Sequence, residues 1–245
     1  MKALLTSALG GSIKVDGKRI PQPFSNKNDF MNNLQELWPD NAKVLFICGS
    51  PDDFQRNDEV FYCVREAFLL SGLKYISFEI CDDRTLDIID KVNEFNVIII
   101  AGGHVPTQNK FMKALKLKER LAEFDGLVLA WSAGSMNCAE MVYAGPELEG
   151  EAIDPDYVKW MPGLGITKKN IFPHFSDLRD DYLDGLRVIE DITVPDSIGH
   201  CFYALNNGSY ILNINGVEAL YGEAWAIKDG IIEQICGDDT FVLLQ

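Results

Sequence analysis

Positive charge is scarce in this chain: 22 Lys and Arg face 37 Asp and Glu, for a formal net charge of −15. Nucleic acids and anionic membrane surfaces require a basic face, so neither is an expected partner. Histidine is scarcer still, with His104, His174 and His200 the only three, and no zinc-type ligand spacing surrounds them. Neither a metal nor another cofactor is therefore expected. Cys48, Cys63, Cys81, Cys138, Cys201 and Cys236 contain no C-x-x-C pair, and several sit inside apolar runs. That pattern fits free thiols in a reducing compartment, which makes a cytoplasmic protein the expectation. No apolar run approaches the ~20 residues of a membrane span. The short apolar stretch 1–9 is followed by Gly and charges, and reads as a first strand rather than a signal peptide. Repeats and low-complexity segments are absent as well.

What is present suits a core of ordinary size, with 47% hydrophobic and 24% charged residues. One domain over 1–245 is expected. Near-continuous Val/Ile/Leu runs at 43–49, 74–80, 96–103 and 127–131 read as strands, with helices predicted at 58–71, 85–94, 108–124 and 133–140 between and after them. Buried strands alternating with helices indicate an α/β fold, a mainly parallel sheet covered on both faces. Residues 10–30 read as a long loop leading into a helix at 28–37. From residue 205 the pattern turns to short strands (210–213, 219–221, 224–228, 231–235 and 240–244) separated by Asn-Asn-Gly, Asn-Gly and Asp-Gly turns. These are expected to extend the sheet or to form a small antiparallel layer.

Within this framework Gly126-Leu-Val-Leu-Ala-Trp-Ser-Ala-Gly134 stands out. A strand ends at Ser132 between small residues and a helix follows at once, the order of a nucleophile elbow, although Ala130 stands where G-x-S-x-G has its first Gly. A Ser hydroxyl needs a base. His174, in Asn170-Ile-Phe-Pro-His-Phe175, emerges at the end of a short apolar strand and follows the Ser in chain order. Gly102-Gly103 ends another strand, and its backbone N–H groups are placed to meet an oxyanion. His104 follows, either beside the pocket or simply capping the next helix. His200 reads as structural. For an acid to orient the imidazole, Glu147, Glu149, Glu151, Asp154 and Asp177 all remain open.

The segments Ile98-Ile-Ile-Ala-Gly-Gly103, Leu129-Ala-Trp-Ser-Ala-Gly134, Ala152-Ile-Asp-Pro155, Ile171-Phe-Pro-His-Phe175 and Ala204-Leu-Asn-Asn-Gly-Ser-Tyr-Ile211 together resemble the peptidase E (α-aspartyl dipeptidase) family and its cyanophycinase relatives. The resemblance covers roughly 43–235. It implies a three-layer sandwich of the class I glutamine amidotransferase-like (flavodoxin-like) type, with C-terminal antiparallel strands. It implies a Ser132 nucleophile, a His174 base and an oxyanion hole from Gly103 and Ala133. Alignment on Ile153-Asp154-Pro155 points to Glu149 as the acid, with Glu147 next. Cyanophycinase-like members take a Glu from the segment matching Leu205-Asn-Asn-Gly208, where this chain has Asn, which disfavours that arrangement. Arg179 matches the specificity Arg for an N-terminal Asp, and His104 stands at the substrate rim where peptidase E has a third Gly.

The expected function is thus a serine-type exopeptidase or dipeptidase cleaving small peptides, as a monomer or homodimer. The alternative is a non-catalytic binding or sensor protein that keeps the fold, with Ser132 and His174 too far apart to hydrogen-bond. An amidotransferase role is disfavoured, since that chemistry places Cys at the elbow.

Overall fold

The computed structural model describes residues 1–244. Its centre is an eight-stranded sheet ordered Phe241–Leu244, Val217–Tyr221, Tyr210–Ile214, Lys2–Thr6, Leu127–Trp131, Val97–Ile100, Lys43–Ile47 and Ser77–Cys81. The last five of these run parallel, and the first three attach antiparallel to Lys2–Thr6 and to one another. Successive residues of Val97–Ile100 are all buried, as are Leu127 to Ala130. Because neighbouring strand residues point to opposite faces, both faces of the sheet are covered. Each fully buried Ile or Leu here contributes roughly 1.5–3 kcal/mol of apolar transfer.

A second, four-stranded sheet is ordered Asn170–Phe172, Cys201–Leu205, Ala224–Lys228 and Ile231–Cys236. Tyr143, Phe172, Phe175, Ile189 and Phe202 form a separate buried cluster against it. The C-terminal strands therefore take both expected routes. Three extend the main sheet and two join the smaller one.

The helices depart from expectation where backbone chemistry intervenes. The helix expected at 58–71 begins earlier, as Phe54–Leu70, because the Asp53 side chain accepts the Arg56 N–H and caps it. The helix expected at 108–124 begins at Val105, with Pro106 in its first turn where no N–H is required. It stops at Ala114, since Lys116 adopts a left-handed φ of +52°, and Leu117–Arg120 forms a separate short helix. Leu86–Glu94 is wound as 3-10 turns, and the helix after Ser132 spans only Ala133–Asn137.

The expected loop at 10–30 contains a hairpin, Ser12–Val15 paired with Lys18–Pro21. Its turn is Asp16-Gly17, with φ of +49° and +77°, the doubly left-handed turn that an Asp-Gly pair favours between twisted strands. Among the described residues no helix is long and apolar enough to cross a membrane.

Candidate active site

Ser132 stands at the carboxyl end of Leu127–Trp131 with φ +51° and ψ −125°, a region costly for a residue bearing a side chain. The surroundings impose this geometry. The Ser132 N–H is directed at the Thr6 and Ser7 carbonyls, both 3.1 Å away, and its own carbonyl receives the Met136 N–H at 3.0 Å, which starts the helix. Only glycine fits two residues on, since a Cβ on Gly134 would lie 2.4 Å from the Ile100 carbonyl oxygen. The glycine loop meets the elbow from the other side. A Cβ on Gly102 would approach Trp131 Nε1 to 2.9 Å and Ser132 Cβ to 3.1 Å, and one on Gly103 would lie 2.9 Å from the Gly49 backbone. Gly49, Gly102 and Gly103 thus pack backbone on backbone beside the Ser.

His174 follows the strand Asn170–Phe172, which pairs in parallel with Cys201–Leu205. Its φ of +58° is again left-handed, and its N–H donates to Ser7 Oγ at 2.8 Å. Its ring joins two groups. Nε2 lies 2.9 Å from Ser132 Oγ, and Nδ1 lies 2.8 Å from Asn207 Oδ1. The Asn207 amide nitrogen donates to Asp177 Oδ2 at 2.6 Å, which orients the amide with its oxygen toward the imidazole. That arrangement makes Nδ1 the donor and leaves Nε2 to accept from the Ser hydroxyl. Ser7, fully buried, lies 3.2 Å from both Asn207 Oδ1 and the Leu205 carbonyl.

The partner of His174 Nδ1 is not the expected Glu149. Glu149 is exposed in the 145–156 loop, while Nδ1 is held by Asn207. Asn207 belongs to the segment Leu205-Asn-Asn-Gly208, which carries no Glu. An amide serves here because its oxygen accepts the ring N–H as a carboxylate would. Of the acidic candidates, Asp177 comes nearest, one residue removed behind Asn207.

Glu151 instead binds His104, with Oε1 3.0 Å from Nε2, while its Oε2 accepts the N–H groups of Glu147 and Leu148. Thr107 Oγ1 lies 2.8 Å from His104 Nδ1. Both ring nitrogens are thereby engaged by protein groups, and His104 acts as a strut between the glycine loop and the 145–156 loop rather than a free substrate contact. Arg179 is exposed, its guanidinium carbon 6.0 Å from the centre of the Phe175 ring, and it lines neither cavity beside Ser132. His200 stacks on Trp160 with ring centres 4.1 Å apart, far in role from the Ser132 pair.

Two cavities meet at Ser132 and His174. One, about 380 Å³, is lined by Arg19, Arg56, Val60, Gly103 and Trp131 among others. The other, about 320 Å³, is lined by Met136, Glu147, Phe172, Asp181 and Ile192 among others. Glu147 is open to its cavity at the rim. Even so, the atoms packed about its carboxyl, followed by the charge of Glu151, push it up to about 7, and a hydrogen bond from the Val105 N–H partly offsets them. Asn207, Ser7, Arg19 and Arg56 were not singled out from sequence. The signals available were the Asp16-Gly17 hairpin turn, which places Arg19, and the Asn206-Asn207-Gly208 turn, which carries Asn207.

The arrangement, a strained Ser bonded to a His whose other nitrogen is fixed, is one that can deliver a nucleophile to a carbonyl. The separation expected of a non-catalytic relic is not found. Comparison with known proteins points the same way. A crystal structure of a Listeria monocytogenes EGD-e protein described as a candidate peptidase E superposes with a TM-score of 0.57 at 13% identity, over 96% of this chain and 98% of that one. At that identity the likeness speaks for the fold. No curated protein matches the sequence. The family model of peptidase family S51, by contrast, matches residues 22–219, most of the chain, with Ser132, His174 and Asn207 inside the matched span. Because that match spans well over half of the sequence, the chain belongs to peptidase family S51, a family of serine peptidases.

Proposed function

We propose that the protein is a serine hydrolase of the peptidase E type that cleaves short peptides. Ser132 Oγ attacks the scissile carbonyl while His174 Nε2 takes its proton. The backbone N–H groups of Gly103 and Ala133 receive the oxyanion of the tetrahedral intermediate. His174 then returns the proton to the leaving amine as the C–N bond breaks, leaving an acyl ester on Ser132. Water, deprotonated by His174, adds to the ester carbonyl, and the Ser132 oxygen leaves with the proton to restore the enzyme.

Asn207 fixes the tautomer and plane of the imidazole. Being neutral, it does little to offset the imidazolium charge, which falls to Asp177 across the Asn207 amide. The observation that carries this reading is the 2.9 Å contact between His174 Nε2 and Ser132 Oγ at a backbone position strained to φ +51°. In a panel of dipeptides the parent protein turns over at least one member, and Ser132→Ala abolishes turnover to the level of the uncatalysed control. Retained turnover in Ser132→Ala would refute the assignment.

A further inference from the structure

The two cavities that meet at Ser132 and His174 carry opposite charge. The lining of the larger holds two guanidinium groups, Arg19 and Arg56, and no carboxylate. The lining of the smaller holds two carboxylates, Glu147 and Asp181, and no Lys or Arg. In a chain with 22 basic against 37 acidic side chains, a carboxylate-free wall bearing two arginines is the less expected of the two.

The cations are also underemployed. Arg56 is exposed and has no side-chain ion pair among the described residues. Arg19 donates Nη1 to Ser12 Oγ at 3.0 Å, and its Nε is buried without a hydrogen-bond partner, 4.0 Å from the nearer Glu59 oxygen. That loose pairing with Glu59 leaves the outer end of the guanidinium, apart from the Nη1 bond to Ser12, available to an acceptor in the cavity. Arg19 is held in place by the pairing of Lys18–Pro21 with Ser12–Val15, and by the Arg19 carbonyl against Cys63 Sγ at 3.5 Å.

We propose that Arg19 and Arg56 bind the carboxylate of a short peptide on one side of Ser132, while Glu147 binds its free ammonium group on the other. This rests on the hydrolase reading above and adds the direction in which the substrate lies. The first residue occupies the cavity walled by Met136, Phe172 and Ile192, which suits an apolar side chain. Its carbonyl lies at Ser132 Oγ, and the following residue extends toward the arginines. Charge at each end then fixes the register of a two-residue chain, and capping either end removes one charge-assisted contact.

The test is calorimetric binding to the Ser132→Ala protein, which needs no turnover, at about pH 8, where the Glu147 carboxyl is ionised. The probes are Ala-Ala, its C-terminal amide, its N-acetyl derivative and the amide of Asp-Ala. Amidation and acetylation of Ala-Ala are each expected to weaken binding by at least about tenfold, the loss for one charge-assisted bond. Adding Arg19→Gln and Arg56→Gln removes the amidation loss and leaves the acetylation loss. Adding Glu147→Gln does the reverse. Arg56→Gln alone, a change at an exposed and unpaired side chain, supplies the same comparison if the double change fails to fold.

The Asp-Ala amide distinguishes the source of the anion. Recovery of tight binding that depends on the arginines assigns them a side-chain carboxylate, and no recovery assigns them the C-terminus. Amidation and acetylation losses that persist unchanged in both sets of variants would overturn the proposal, as would no binding of any of the four. Tight, charge-dependent binding to Ser132→Ala with no turnover by the parent would instead reject the hydrolase reading and leave the subsites standing.

Discussion

At Asn207 a neutral amide holds the nitrogen of His174 that a carboxylate holds in a Ser-His-Asp triad. The amide can orient the ring but cannot carry charge, so in the proposed mechanism the burden of stabilising an imidazolium falls to Asp177, 2.6 Å beyond it. Removing the orienting group by Asn207→Ala is expected to lower kcat by about 10²-fold, near the lower end of what positioned acid–base catalysis contributes, with KM little changed. Steady-state kinetics on the best dipeptide checks this, and an unchanged kcat would exclude Asn207 from the machinery. Asp177→Asn keeps the geometry and removes the charge, and the smaller loss it produces measures the charge alone. The role of Asn207 was hidden in the sequence for a simple reason. Asn before Gly is a turn former first, and only the approach of the strand Cys201–Leu205 to Asn170–Phe172 brings it to the imidazole.

Among the elements, the elbow depends on contact between the start of the chain and its middle. Lys2–Thr6 pairs in parallel with Leu127–Trp131, which sets the Thr6 and Ser7 carbonyls against the Ser132 N–H and puts Ser7 Oγ against the His174 N–H. A Cβ at residue 134 would meet two carbonyl oxygens of the glycine-loop strand, at 2.4 and 2.7 Å, and neither is free to move. Gly134→Ala is therefore expected to destabilise the protein by about 1–3 kcal/mol, the usual cost of overpacking, read as a fall in Tm. An unchanged Tm would show that the elbow has room that these distances deny.

The parallel strands and the tight strand-to-helix turn at Ser132 were legible because buried Val/Ile/Leu runs and small residues around a Ser have few alternative uses. The hairpin Ser12–Pro21 was not, although Asp16-Gly17 marks its turn, because the alternation of Ser12–Val15 runs for only four residues and Lys18–Pro21 opens on two cations and ends on Pro. Helix ends were misjudged where a single side chain or backbone angle decides them, as with Asp53 at Phe54–Leu70 and Lys116 after Ala114.

For the molecule as a whole, two carboxyl groups give stability opposite dependences on pH. Asp82 is fully buried. Burial raises its pKa, but hydrogen bonds and charge from Arg84 outweigh that and leave it below the ordinary value. Its contribution is present above the unfolded pKa and is lost as pH falls through the lower folded value. Glu147 behaves the other way: raised from 4.5 to about 7, its folded form keeps a proton that the unfolded chain has released. Stability is thus expected to decline as pH rises from about 4.5 to about 7, and Glu147→Gln to remove that part of the decline. Calorimetric Tm values across this interval check the sign, and parallel curves for the two proteins would contradict it.

The overall charge of −15 makes the arginine-lined wall beside Ser132 a local exception rather than a general property of the surface. The central claim, that Ser132 is a nucleophile activated by His174, is tested most directly by reaction with a fluorophosphonate followed by peptide mass mapping. The account predicts a single phosphonyl adduct on Ser132, slowed by at least about 10²-fold in His174→Ala. An adduct on another residue, or labelling of Ser132 at the same rate without His174, would contradict it.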